Sequence, residues 1–286
     1  MLPDIDTKSA PAVAAATQAV FRKMFPRASM GIIDRLFFDV RRMFTGHYLD
    51  YQPSDLRYHD FEHTLQAALC FIRLLAGRHA ARARPRLTPR QFELGLAAVL
   101  LHDTGYLKFR SDRAGTGAKF THVHVLKSCA FAAAYLPTIG VSRKELDGVL
   151  GAIRCTGPSS DIAQLRFNSP AERLIGCALA TADYLGQMAA PDYPDELELL
   201  FNEFREADEF ANVPRPQREF KSAAELIART PLFWRNVVLP KLETDYRSLY
   251  RFLAQPYPDG PNPYLLAARA NIAVISARLA KKKYHS

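Results

Sequence analysis

Side chains able to do chemistry gather at three places in this sequence. Tyr58-His59-Asp60-Phe61-Glu62-His63 puts two histidines four residues apart. His102-Asp103 follows the apolar run Ala97-Ala98-Val99-Leu100-Leu101, and Asp183 is a lone carboxylate after Ala180-Thr181-Ala182. Burying such ionisable groups costs free energy unless they are paired or bound to a cation. Imidazole and carboxylate together suit zinc, iron, manganese or nickel, and carboxylates also suit magnesium. A carboxylate beside a histidine can bridge two divalent ions. Such a pair generates a hydroxide at neutral pH, the nucleophile that phosphoester hydrolysis otherwise lacks.

The elements that must position these groups read as helices. Thr88-Pro89-Arg90-Gln91, Ser142-Arg143-Lys144-Glu145 and Ser169-Pro170-Ala171-Glu172 are capping boxes, each followed by apolar residues at helical spacing. Further helices are expected near 31–46, 60–77, 121–136, 195–212, 218–229, 232–253 and 262–281. Asp60 is placed to cap the second of these, with His63 in its first turn and His59 in the loop before it. Strand signals are nearly absent, so the fold class is all-α. The expected organisation is one compact helical domain over 26–286 with its metal site between helices, preceded by an N-terminal arm over 1–25. Cys70, Cys129, Cys155 and Cys177 form no C-x-x-C pair and sit among apolar residues, which predicts reduced, buried thiols. No apolar run has the length of a membrane span, and the first residues lack the order of a signal peptide, so the expected location is the cytoplasm.

The order His…His-Asp…Asp resembles the HD superfamily of metal-dependent phosphohydrolases. Tyr58–His63 is similar to that superfamily's cyclic-nucleotide phosphodiesterase branch, which carries Y-H-N-x-x-H there. The resemblance implies that His63, His102, Asp103 and Asp183 bind the tighter of two divalent metals. It also implies that Asp103 bridges to a second ion held mostly by water, and that His59 protonates the leaving oxygen. Phe233-Trp234 resembles the block in which a phenylalanine clamps the substrate base. The branch continues H-D-x-x-H, whereas this chain has His102-Asp103-Thr104-Gly105-Tyr106, so His122 or His124 is the expected replacement. On a helix two positions apart share no face, so at most one is a ligand, and His124 is favoured. Thr230 stands where that branch carries its base-selecting glutamine, so the substrate base is left open.

Other residues qualify as substrate contacts. Gly115-Thr116-Gly117-Ala118-Lys119 fails the spacing of a nucleotide-binding P-loop, but a flexible lid could bring Lys119 or Arg113 to a phosphate. Arg154 reads either as a phosphate contact or as a charge at a helix C-terminus. Gln187 lies one turn beyond Asp183. The net charge is +9, much of it in the runs 78–90 and 281–283, which lack the interleaved aromatics of a single-strand nucleic-acid surface. An anionic, nucleotide-like small molecule is therefore the expected partner, in preference to nucleic acid or membrane. Phosphodiester hydrolysis is the leading expectation. A phosphomonoesterase or nucleotidase, a di-iron oxygenase and a non-catalytic nucleotide sensor are the alternatives.

Overall fold

Helix signals this dense need tertiary burial to become stable helices, because isolated helices of such length are marginal in water. The structure, a computed structural model, describes residues 5–157 and 160–283. Among these, helices α1 (Ala10–Met24), α2 (Ile33–Phe44), α3 (Phe61–Ala80), α4 (Pro89–Leu101), α5 (His124–Tyr135) and α6 (Arg143–Ile153) form the first half. Helices α7 (Pro170–Met188), α8 (Tyr193–Phe210), α9 (Ala223–Phe233), α10 (Leu239–Glu243) and α11 (Pro263–Lys283) complete it. Among the described residues no strand occurs, only the isolated bridges Thr45–Pro53 and Tyr51–Phe109. The fold class is all-α.

The caps form as their residue types dictate. Thr88 and Ser142 each close a reciprocal capping box with Gln91 and Glu145. Ser169 accepts from Glu172 N–H, but the Glu172 carboxylate accepts from Asn168 N–H rather than from Ser169, so that box is half closed. Asp60 accepts from His63 N–H at 2.9 Å, which starts α3 where the sequence predicts.

Helix α3 is the centre of the molecule. Leu65, Ala68, Phe71, Ile72, Leu74 and Leu75 are buried on several sides of it, against α1, α4 and α7. Its approach to α7 depends on Gly186: a Cβ there would lie 2.9 Å from the Ala67 backbone nitrogen. All four cysteines are free and buried, as expected.

Three expectations are corrected. The N-terminal arm is helical over 10–24: Ser9 caps α1, and Val13, Thr17, Phe21 and Met24 are buried, with Phe21 edge-on to Phe92 at 5.4 Å. An alanine-rich segment shows little contrast between faces, which is why its stripe escapes a reading by hydrophobic pattern. Residues 1–4, the tip of that arm, lie outside the described residues. The helix expected over 218–229 starts at Ser222, whose side chain accepts from Glu225 N–H. The long helix expected over 232–253 is broken. Pro240 lacks an N–H and its ring crowds the Asn236 carbonyl, so the chain widens into a π-turn over Trp234–Val238. The α-helix ends at Glu243, and the turn that follows carries positive φ at Arg247 and Ser248.

Candidate metal centre

Four segments deliver one cluster. His63 comes from the first turn of α3, His102 ends α4, Asp103 opens the 3₁₀ turn Thr104–Tyr106, and Asp183 lies within α7. Their donor atoms alternate around a ring. His63 Nε2 is 3.3 Å from Asp103 Oδ2 and 3.2 Å from Asp183 Oδ1. His102 Nε2 is 3.4 Å from Asp103 Oδ2 and 3.5 Å from Asp183 Oδ1. Bonds of about 2.0–2.2 Å to one ion place neighbouring donors roughly 2.8–3.6 Å apart, from octahedral to tetrahedral coordination. The observed edges match that spacing.

The ring is also chemically unfinished. His102 Nε2 and Asp103 Oδ2 are buried and have no hydrogen-bond partner. Orphaned buried polar atoms are rare in folded proteins, and an ion is one of the few species that resolves such a pair. His102 Nδ1 lies 2.7 Å from the Val99 carbonyl, which can only accept, so the proton sits on Nδ1 and the Nε2 lone pair faces the ring. The buried group His63, His102 and Asp103 could therefore hold a metal ion, and Asp183 Oδ1, within 3.5 Å of both imidazoles, is placed to join it.

The ring's charges are mutually dependent without a cation. Burial pushes the His63 pKa down, but its contacts with Asp103 and Asp183 outweigh this and lift it to about 10. Burial would raise Asp103, yet the imidazoles of His102 and His63 hold it far below the usual carboxylate range. Asp183 is depressed in the same way. A bound cation would supply the positive charge that these two buried carboxylates require.

Asp103 has a second free edge. Its Oδ1 faces His124 Nε2 at 3.8 Å, while His124 Nδ1 is tied to the Thr121 carbonyl at 2.7 Å. The two oxygens of Asp103 thus face two different sets of nitrogens. His122 turns away and pairs with Asp208 at 3.0 Å, with its side chain 46% exposed. Gly105 makes the arrangement possible: a Cβ there would meet the His124 carbonyl at 2.0 Å, and Gly105 N–H donates to Ser128 Oγ. The Asp103 turn can therefore dock directly onto the start of α5.

His59 stands beside the ring without joining it. Its Nδ1 is 2.7 Å from Glu203 Oε2, and Glu203 Oε1 accepts from the backbone N–H groups of Arg57 and Tyr58. The imidazole stacks on Tyr106 at 5.0 Å, and Tyr106 stacks in turn on His124 at 4.6 Å. Tyr106 occupies the position after Gly105 where the sequence pattern lacks a histidine, and its ring fills the space between the two imidazoles. Glu203 escapes sequence reasoning because α8 carries several glutamates and nothing in their spacing singles out this one.

The remaining candidates divide. Gln187 belongs to the site: it accepts from Tyr58 O–H at 2.6 Å and donates to the Asp183 carbonyl at 3.1 Å. Phe233 is half-buried, 6.2 Å from the ring of Tyr184, the residue next to Asp183. Lys119 does not serve a lid. Its ammonium is buried and donates to the Asp112 carboxylate and the Ala114 carbonyl. The loop around it is pinned, since Thr116 Oγ1 donates to Glu206 and Asp55 accepts from both Lys108 Nζ and Gly117 N–H. Arg113 is exposed on that loop. Arg154 is exposed at the C-cap of α6, the helix-terminal reading of the two.

Among the described residues no helix is long and apolar enough to cross a membrane. No family model matches the chain, and no curated protein is significantly similar to it.

Proposed function

We propose that this chain is a metal-dependent phosphohydrolase of the HD type, cleaving a phosphodiester of a nucleotide-like small molecule. The observation that carries the reading is the alternating ring of two imidazoles and two carboxylates, with two buried donors left unpartnered. A divalent ion there supplies a Lewis acid and a nucleophile at neutral pH. If a second ion bound, Asp103 Oδ1 and His124 Nε2, 3.8 Å apart on the far side of the carboxylate, would be the residues to hold it. A shell with so few protein donors leaves positions for water and phosphoryl oxygens, which favours hydrolysis over the di-iron oxygenase reading.

His59 is suited to general acid catalysis. Glu203 accepts from its Nδ1–H, which leaves Nε2 to carry and release the transferable proton. Tyr106 packed against one face of the imidazole fixes its plane. Phe233 and Tyr184 offer an aromatic wall beside Asp183 for the substrate's base. The location compatible with this chemistry is the cytoplasm, where nucleotides are abundant and the buried thiols stay reduced.

The test is a substrate panel. Protein reconstituted with manganese, iron, zinc or magnesium is offered cyclic nucleotides, dinucleotides, monophosphates and triphosphates, and products are resolved by mass. Hydrolysis of a diester to a monoester is expected. Turnover restricted to monoesters or triphosphates would replace the diester assignment, and oxygen consumption without phosphate chemistry would refute hydrolysis.

A further inference from the structure

A second concave site lies on the opposite side of α8 from the metal centre. Glu203 and Glu206 face inward from α8 to hold His59 and Thr116. Phe201 and Arg205, one turn apart, line a separate cavity of about 520 Å³ together with Arg215, Arg218, Phe220 and Lys221. Such a volume falls in the range of small-molecule pockets, roughly 300–1,000 Å³.

The lining carries an unbalanced charge. Four of its side chains are cationic and one, Glu209, is acidic. Glu209 is engaged by Arg218 at 3.4 Å, and Arg218 also donates to the Val213 carbonyl, so this arginine is oriented by the fold. Among the described residues Arg205, Arg215 and Lys221 have no carboxylate within salt-bridge distance, while Arg218 of the same lining has Glu209. Like charges lining one cavity repel one another, and a phosphate dianion relieves that repulsion. The cavity also has aromatic walls. Phe201 is buried beneath Arg205, whose guanidinium lies 5.9 Å from the ring centroid, and Phe220 packs on Phe204 at 5.7 Å. Cations beside aromatic rings suit a ligand with a phosphate at one end and a planar base at the other. The cavity is half-open, and its cations and rings lie within one site of small-molecule size, which suits a single nucleotide.

We propose that this cavity binds a nucleoside monophosphate at a site distinct from the metal centre. The proposal does not rest on the hydrolase reading, because the cavity shares no lining residue with the metal ring.

The experiment is calorimetric titration of the chelator-treated full chain with AMP, GMP, CMP and UMP separately, and with inorganic phosphate and adenosine. The variant is Arg215→Ala combined with Lys221→Ala, two exposed side chains whose removal leaves the core untouched; a thermal melt verifies folding. At least one nucleotide is expected to bind with one site per chain, more tightly than phosphate or adenosine. The double variant should weaken it by about tenfold or more, and added salt should weaken it further. Absence of nucleotide binding to the folded wild type would overturn the proposal, as would affinity indifferent to the double variant. Phosphate or adenosine binding as tightly as the nucleotide would overturn the ligand class.

Discussion

At the scale of single residues, the proposed function divides the centre into groups that would hold a cation and a group that would move a proton. His63 and Asp183 are ring members, so His63→Ala and Asp183→Asn are expected to lose both metal and activity. His59 is outside the ring, so His59→Ala should keep its metal while turnover on a natural phosphodiester falls by about 10² to 10⁴. The same variant should lose much less on a bis(nitrophenyl) phosphate, whose leaving group needs no proton. Glu203→Gln should show the same pattern more weakly, because it disturbs the orientation of His59 without removing the ring. Parallel kinetics on both substrates, with metal content recorded, checks this; equal losses on both would refute the acid role. His102, Asp103 and Asp183 stand out in the sequence because ionisable residues in or beside apolar runs are conspicuous, whereas the roles expected of His59 and His63 rest on the resemblance of Tyr58–His63 to a family motif. Glu203 does not stand out, since its partner lies 144 positions away in the chain and only tertiary folding pairs them. Lys119 was misread for the complementary reason: a lysine in a glycine-bearing loop looks available until Asp112 and the Ala114 carbonyl are seen to hold it.

At the scale of elements, the ring's dimensions are set by how closely the helices pack. Gly186 lies one turn beyond Asp183, and the Ala67 backbone it touches lies one turn beyond His63. The side chain of Gly186→Val would enter backbone 2.9 Å away and force α3 and α7 apart. Overpacking of this kind costs about 1–3 kcal/mol, and it should also weaken metal affinity by opening the edge between His63 and Asp183. Denaturant unfolding together with metal titration tests this, and a variant with wild-type metal affinity would contradict it. A second helix contact predicts a pH response. Arg90 grips both oxygens of Glu145 at 2.7 and 3.1 Å, joining α4 to α6. The Arg90 hydrogen bond pulls the Glu145 pKa from its ordinary 4.5 to about 2. The pair's stabilisation is therefore complete above about pH 4.5 and lost as pH falls through about 2. Glu145→Gln keeps the capping geometry but removes the charge. The stability gap between wild type and this variant should shrink over that window, and a constant gap in acid titrations would contradict it. Helix starts were readable because caps are local chemistry. The π-turn and the break before Ser248 were not, because a proline's effect depends on the surrounding packing.

At the scale of the whole molecule, the fold brings segments from His59 to Glu203 into one centre around α3, with α8 closing one side. The all-α class could be read directly, since three capping boxes and the near absence of alternating patterns leave little else. The incorporation of α1 into the core could not, because its alanines bury area without announcing a face. A cation that bound only the folded ring would stabilise the whole chain. The account stands on that cation. The most direct measurement is phosphodiester hydrolysis by wild-type protein stripped with chelator and then titrated with one divalent metal, with bound metal measured in the same samples. The account predicts no turnover in stripped protein, recovery in step with bound metal, and no recovery in Asp183→Asn. Stripped protein that hydrolyses the diester at the full rate, or loaded protein that binds metal stoichiometrically and cleaves no phosphoester, would contradict it.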